Sequence, residues 1–135
     1  MAKVMVFGVF DGLHEGHKQF LTHARALGDY LCVVVAQDHV VEQLKGGLPN
    51  LNLAERFEHL ETVDGVDQVL IGDHLTSAWQ VVKEHKPDII ALGHDQEVLA
   101  DDLKSHMSEL GYTPHIEALE EYEVNKGLPS NTTSA

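Results

Sequence analysis

The sequence predicts an α/β fold, a Rossmann-like, doubly wound parallel sheet of five strands with helices on both faces. Three observations predict it. Short apolar runs alternate with amphipathic stretches of helical period. The runs are continuous rather than alternating, as in strands buried on both sides. Several of them end at or near glycine, where a strand can turn sharply into a helix.

Each element follows from its residues. Lys3 to Phe10 reads as the first strand, with Val4, Met5, Val6, Phe7, Val9 and Phe10 in one run. Glu15 to Leu27 reads as a helix, with Phe20, Leu21, Ala24 and Leu27 at helical spacing and Gly28-Asp29 as its stop. Leu31 to Ala36, rich in valine, is the second strand. Asp38 is placed to cap a short helix through Leu44, and Gly46-Gly47-Leu48-Pro49-Asn50 is a loop. Asn52 or a neighbour opens a helix carrying Leu53, Phe57 and Leu60 on one face. Val66 to Ile71 is the third strand, followed by a helix from Thr76 to His85 with Trp79, Val81 and Val82 turned inward. Asp88 to Leu92 is the fourth strand, between Pro87 and Gly93. Glu97 to Leu110 is a helix stopped by Gly111, and Thr113 to Ala118 is the fifth strand. Residues 1–119 therefore read as one domain and residues 120–135 as a polar tail.

Bulk properties narrow the function. The formal net charge is -13, which argues against a nucleic-acid partner, since phosphates demand a basic face. No apolar run reaches the length of a membrane span, and the N-terminal segment is too short and polar for a signal peptide. The single cysteine, Cys32, has no internal disulfide partner, so a cytoplasmic setting is expected.

The chemistry concentrates in the first strand-to-helix turn. Gly8, Gly12 and Gly16 stand there at the wrong spacing for the G-x-G-x-x-G of redox dinucleotide folds. His14 and His17 are three residues apart at a helix start, so both imidazoles can face one spot, where the helix N-terminus also favours anions. Gly16 would let a phosphate approach the backbone. A His-x-x-His pair also suits zinc, but no nearby Cys, His or carboxylate set completes such a site.

The run Gly8-Val9-Phe10-Asp11-Gly12-Leu13-His14-Glu15-Gly16-His17 resembles the cytidylyltransferase-like nucleotidyltransferase superfamily, whose members carry G-x-F-D-x-x-H-x-G-H after the first strand. The resemblance implies the HUP-type nucleotidyltransferase fold and transfer of a nucleoside monophosphate from an NTP to a phosphorylated acceptor, releasing pyrophosphate. It implies that His14 and His17 stabilise the transition state, with Lys45 and Arg56 approaching the β- and γ-phosphates. Gly8, Val9, Phe10, Asp11 and Gly16 would line the nucleotide, and Gly93 and Asp95 would meet its base and ribose. Magnesium would accompany the NTP, with Asp11 as a possible ligand, and so offset the acidic average.

The segment Lys86-Pro87-Asp88-Ile89-Ile90-Ala91-Leu92-Gly93-His94-Asp95-Gln96 is similar to small stand-alone FAD synthetases of the archaeal type. That likeness implies ATP and FMN as substrates. Glycerol-3-phosphate cytidylyltransferases, using CTP and glycerol 3-phosphate, are the alternative. A nucleotide-binding module without catalysis is an alternative of another class. In the tail, Lys126 and Ser130, or Thr132-Thr133, can be aligned with the basic and hydroxyl residues that close on the triphosphate in relatives. The resemblance also implies a homodimer.

Overall fold

Alternation along the strands dictates the layering. The structure, a computed structural model, describes residues 2–75, 77–93 and 96–119. Five strands, β1 (Lys3–Gly8), β2 (Tyr30–Val35), β3 (Gln68–Ile71), β4 (Ile89–Gly93) and β5 (His115–Leu119), form one sheet in the order β3-β2-β1-β4-β5. Every adjacent pair is parallel. Five helices intervene: α1 (Glu15–Arg25), α2 (Asp38–Lys45), α3 (Leu53–Glu61), α4 (Gln80–His85) and α5 (Glu97–Ser105).

Val4 and Val6 of β1 and Leu31, Val33 and Val35 of β2 pack with Leu21 and Ala24 of α1 and Leu60 of α3. The intervening residues, Met5, Cys32 and Val34, point the other way, toward Val81 and Val82 of α4 and Leu103 of α5. Period-two alternation thus gives each face its own core, and the fold is the expected doubly wound parallel sheet. The chain steps outward from β1 to β3, then crosses back to place β4 on the other side of β1. Strand order reverses between β1 and β4, and ligands of such sheets bind above the strand ends at that point. Among the described residues no helix is long and apolar enough to cross a membrane.

Several boundaries differ from the sequence reading, each for a local reason. The first strand stops at Gly8 rather than Phe10, because Phe10 takes a left-handed φ of 54°. Asp38 does not cap α2. Gln37 is the N-cap and makes no side-chain cap, while the Asp38 carboxylate turns to Arg56. The fourth helix begins at Gln80: Trp79, expected inside it, has φ 54°, and Asp73 accepts the N–H groups of Gln80 and Val81 at 2.7 and 3.0 Å. Trp79, Val81 and Val82 are nonetheless buried as expected. The last helix gives way after Ser105 to a short 3-10 turn, Met107–Glu109. Asn52 does open α3, in a reciprocal cap with Glu55.

Below the sheet, Tyr112 donates its hydroxyl to the Pro87 carbonyl at 2.8 Å, and the Lys86 ammonium lies 5.1 Å from its ring centre. Burial, with a smaller push from Asp88, raises this phenol from 10.0 to about 12. The folded value exceeds the unfolded one for a group that is neutral when protonated. Its contribution to stability is therefore complete below pH 10.0 and lost as pH rises through about 12. Ultraviolet titration should find one tyrosine ionising near that upper value, and Tyr112→Phe should abolish that transition.

Candidate active site

Leaving β1, the chain must turn into α1, and it does so through Phe10 at φ 54° and Gly12 at φ 90°. Glycine adopts such angles freely; a bulky residue is held there only by its surroundings. The Phe10 ring is 5% exposed and lies back over Gly8, where any Cβ would come within 2.6 Å of it. The ring meets His17 edge-on, with centroids 5.4 Å apart. Glycine at 8 and phenylalanine at 10 are thus one packing unit that supports a histidine. Gly8→Ala should push the ring off its seat and cost about 1–3 kcal/mol, the usual penalty of overpacking, with turnover falling alongside. Thermal unfolding and pyrophosphate release would both report it; an unperturbed Gly8→Ala protein would dismiss this packing role.

His14 and His17 stack with centroids 3.8 Å apart and planes 21° from parallel. His14 is the N-cap of α1: its Nδ1 accepts the N–H groups of Gly16 at 3.0 Å and His17 at 3.4 Å. An accepting Nδ1 carries no proton, so these partners assign the neutral ring's proton to Nε2, which becomes a donor. His17 Nδ1 lies 3.1 Å from the Gly12 carbonyl and 3.5 Å from the His14 N–H. One atom cannot donate to the first and accept from the second. The shorter contact requires Nδ1–H, so His17 is read as donating to Gly12.

Two expectations change here. Gly16 makes room for the His14 ring, since a Cβ on it would stand 2.9 Å from His14 Cε1. The N–H groups of Gly16 and His17, expected to face a phosphate, are instead capped by His14.

Asp11 anchors a second segment. Its two oxygens accept the N–H groups of Asn50 at 2.7 Å and Leu51 at 2.8 Å, which hold its carboxyl below the ordinary carboxylate range. This clamps the loop after α2 against the motif. Lys45, the last residue of α2, is exposed, and its charge is near enough to lower the Asp11 carboxyl a little further. Among the described residues no group of three or more His, Cys, Asp or Glu could hold a metal ion.

Arg56 does not stand where the sequence reading put it. It is fully buried, with Nε donating to Leu51 O at 3.0 Å, Nη1 to Val9 O at 2.9 Å and Nη2 to Asp38 at 2.6 Å. Its guanidinium ties the end of the motif strand, the clamped loop and the start of α2 together, each of its three nitrogens bonded to a protein oxygen. Val9 enters through its carbonyl for the same reason. At the end of β4, Gly93 is bonded to Gln96, a residue with no role expected from sequence; its place beside Asp95 in the quoted segment is the available signal. Asp95, Lys126 and Ser130 lie outside the described residues.

The geometry has matches among known proteins. The cytidylyltransferase-like family model matches residues 5–123. The FAD synthase of Thermococcus sibiricus is 44% identical over 107 residues, covering 79% of this chain and 72% of that protein. The FAD synthase of Pyrococcus horikoshii is 42% identical over 109 residues, covering 81% and 74%. Among solved structures, the lipopolysaccharide core biosynthesis protein of Thermoplasma volcanium matches with a TM-score of 0.83 at 36% identity, over 91% of this chain and 99% of that one.

Proposed function

The chain belongs to the cytidylyltransferase-like family, and from that premise we propose that it is an FMN adenylyltransferase, joining AMP from MgATP to FMN. A phosphate oxygen of FMN attacks the α-phosphorus of ATP. The bond from that phosphorus to the bridging oxygen breaks, and pyrophosphate leaves with the electron pair, giving FAD. Charge builds on the transferred group and the leaving group, so the protein has to position and neutralise rather than provide a nucleophile.

The observation that carries the reading is the His14–His17 stack at the start of α1, two parallel imidazoles with each Nδ1 engaged by backbone. His14 donates from Nε2, and His17 does so when protonated; both would act on the α-phosphate oxygens. Lys45 would reach the β- and γ-phosphates from the end of α2. Magnesium belongs to the substrate in this reading: it arrives on the triphosphate and neutralises it. Both Asp11 oxygens already serve the 50–51 backbone, which fits a metal carried mainly by the nucleotide. FMN, rather than a small phospho-alcohol, is supported by the relatives and by Leu44 and Leu48, each 66% exposed on either side of Lys45. They offer apolar surface to a flat ring. A cytoplasmic homodimer completes the proposal, since ATP is abundant there and the family resemblance implies the dimer.

Pyrophosphate release tests it directly, with ATP or CTP against FMN, glycerol 3-phosphate, phosphocholine and pantetheine 4′-phosphate. Turnover with ATP and FMN alone is the expected result. CTP with glycerol 3-phosphate would move the protein to cytidylyl transfer, and nucleotide binding without any turnover would make it a binding module.

A further inference from the structure

β1 and β4 flank the reversal of strand order, yet they run in register only at Val4–Ile89 and Met5–Ile90, while β1 follows β2 from Lys3 to Gly8. Among the described residues the two strands show no pairing past Met5. One side chain spans the opening. Gln96 Nε2 donates to the Phe7 carbonyl at 2.9 Å, and its Oε1 accepts the Gly93 N–H at 2.8 Å. The backbone N–H of Gln96 also donates to Gly93 O at 3.0 Å. Gln96 is therefore clamped to the end of β4, and its amide reaches across to β1 one residue before Gly8.

We propose that Gln96 is a positioning residue for nucleotide transfer: its carboxamide is the strut that sets the width of the cleft between β1 and β4. It thereby fixes the Gly8–His17 turn relative to the β4 side of the nucleotide site. The inference rests on the reading that the nucleotide occupies this cleft. Glutamine suits the task because one planar group supplies a donor toward Phe7 and an acceptor toward Gly93. Ionised glutamate keeps the acceptor but turns a second oxygen on the Phe7 carbonyl. Leucine fills the space and makes neither bond. Asparagine is one methylene too short to reach both.

The test uses the full chain with Gln96→Glu and Gln96→Leu, measuring ATP affinity by calorimetry and KM for ATP and FMN across pH. At about pH 8, where a glutamate is ionised, both variants should bind ATP about tenfold more weakly, the scale of one or two lost hydrogen bonds. KM for FMN should change much less. In Gln96→Glu the ATP defect should shrink as pH falls and the carboxyl gains a proton, because the acid again donates to Phe7. In Gln96→Leu the defect should not follow pH. Equal losses for ATP and FMN, or a pH-independent defect in Gln96→Glu, would overturn the strut. Wild-type ATP affinity retained by both folded variants would do the same. Absence of FMN turnover in the wild type would refute the acceptor, while the calorimetric comparison would still decide the strut.

Discussion

Replacing His17 by alanine should lower turnover by about 10²–10³, the scale for removing one preorganised donor to a developing oxyanion, with only a small change in melting temperature. Among its neighbours the His17 ring bonds Gly12, stacks on His14 and meets the edge of Phe10, at a partly exposed turn, so the loss is expected to fall mainly on chemistry. His14 is different, because its ring also caps α1. His14→Ala should lose turnover and about 0.5–2 kcal/mol of stability together. His14→Asn, an able N-cap without an imidazole, should restore most of the stability and little of the turnover. Single-turnover pyrophosphate release with MgATP and FMN measures the first effect, and thermal unfolding the second. A His17→Ala enzyme as fast as the wild type would remove the imidazole pair from the mechanism.

The second large effect falls on stability. Arg56→Met should destabilise the fold by about 3–5 kcal/mol, the scale of two buried carbonyls losing their donor. For a domain of this size that is a drop of roughly 10–20 °C in melting temperature. The cause is specific. Asp38 is 39% exposed on its side chain and can turn to water, so the lost Coulomb attraction is the lesser part. The Val9 and Leu51 carbonyls are left without their donor inside the protein, and each such group costs about 1–3 kcal/mol. Arg56→Lys keeps the charge but not the fork that meets three acceptors, and should recover only part of the loss. Kinetics at low temperature separate this account from phosphate contact. If Arg56 only braces the site, the folded Arg56→Met fraction keeps its KM for ATP. A stable variant with a greatly raised KM would put the guanidinium on the nucleotide after all.

These two residues show how unevenly the site was legible. The histidines stand out because several fixed residue types recur at fixed spacing directly after a strand, and the strand itself is visible as an apolar run. Arg56 sits on an amphipathic helix, where an arginine normally reaches water. Nothing in its neighbours along the chain says that the end of β1 will lie over it. Gln96 is similar: local sequence marks it as the residue before a helix, while its two partners are at Gly93 and Phe7. Trp79 misled differently. The apolar spacing continues through it, so periodicity starts α4 too early, whereas the Asp73 cap starts the helix one turn later.

Strand and helix order, the parallel sheet and the place of the histidine turn are legible from the residues alone, because periodicity, glycine and a local motif act within a few residues of one another. What the polar side chains of that turn do depends on contacts that come from far along the chain. His14 became a cap as well as a donor, Gly16 a space for its ring, Asp11 a loop clamp, and Arg56 a buried brace. The reason is physical: a buried polar group must find a partner, and which partner it finds depends on which backbone ends the fold brings together.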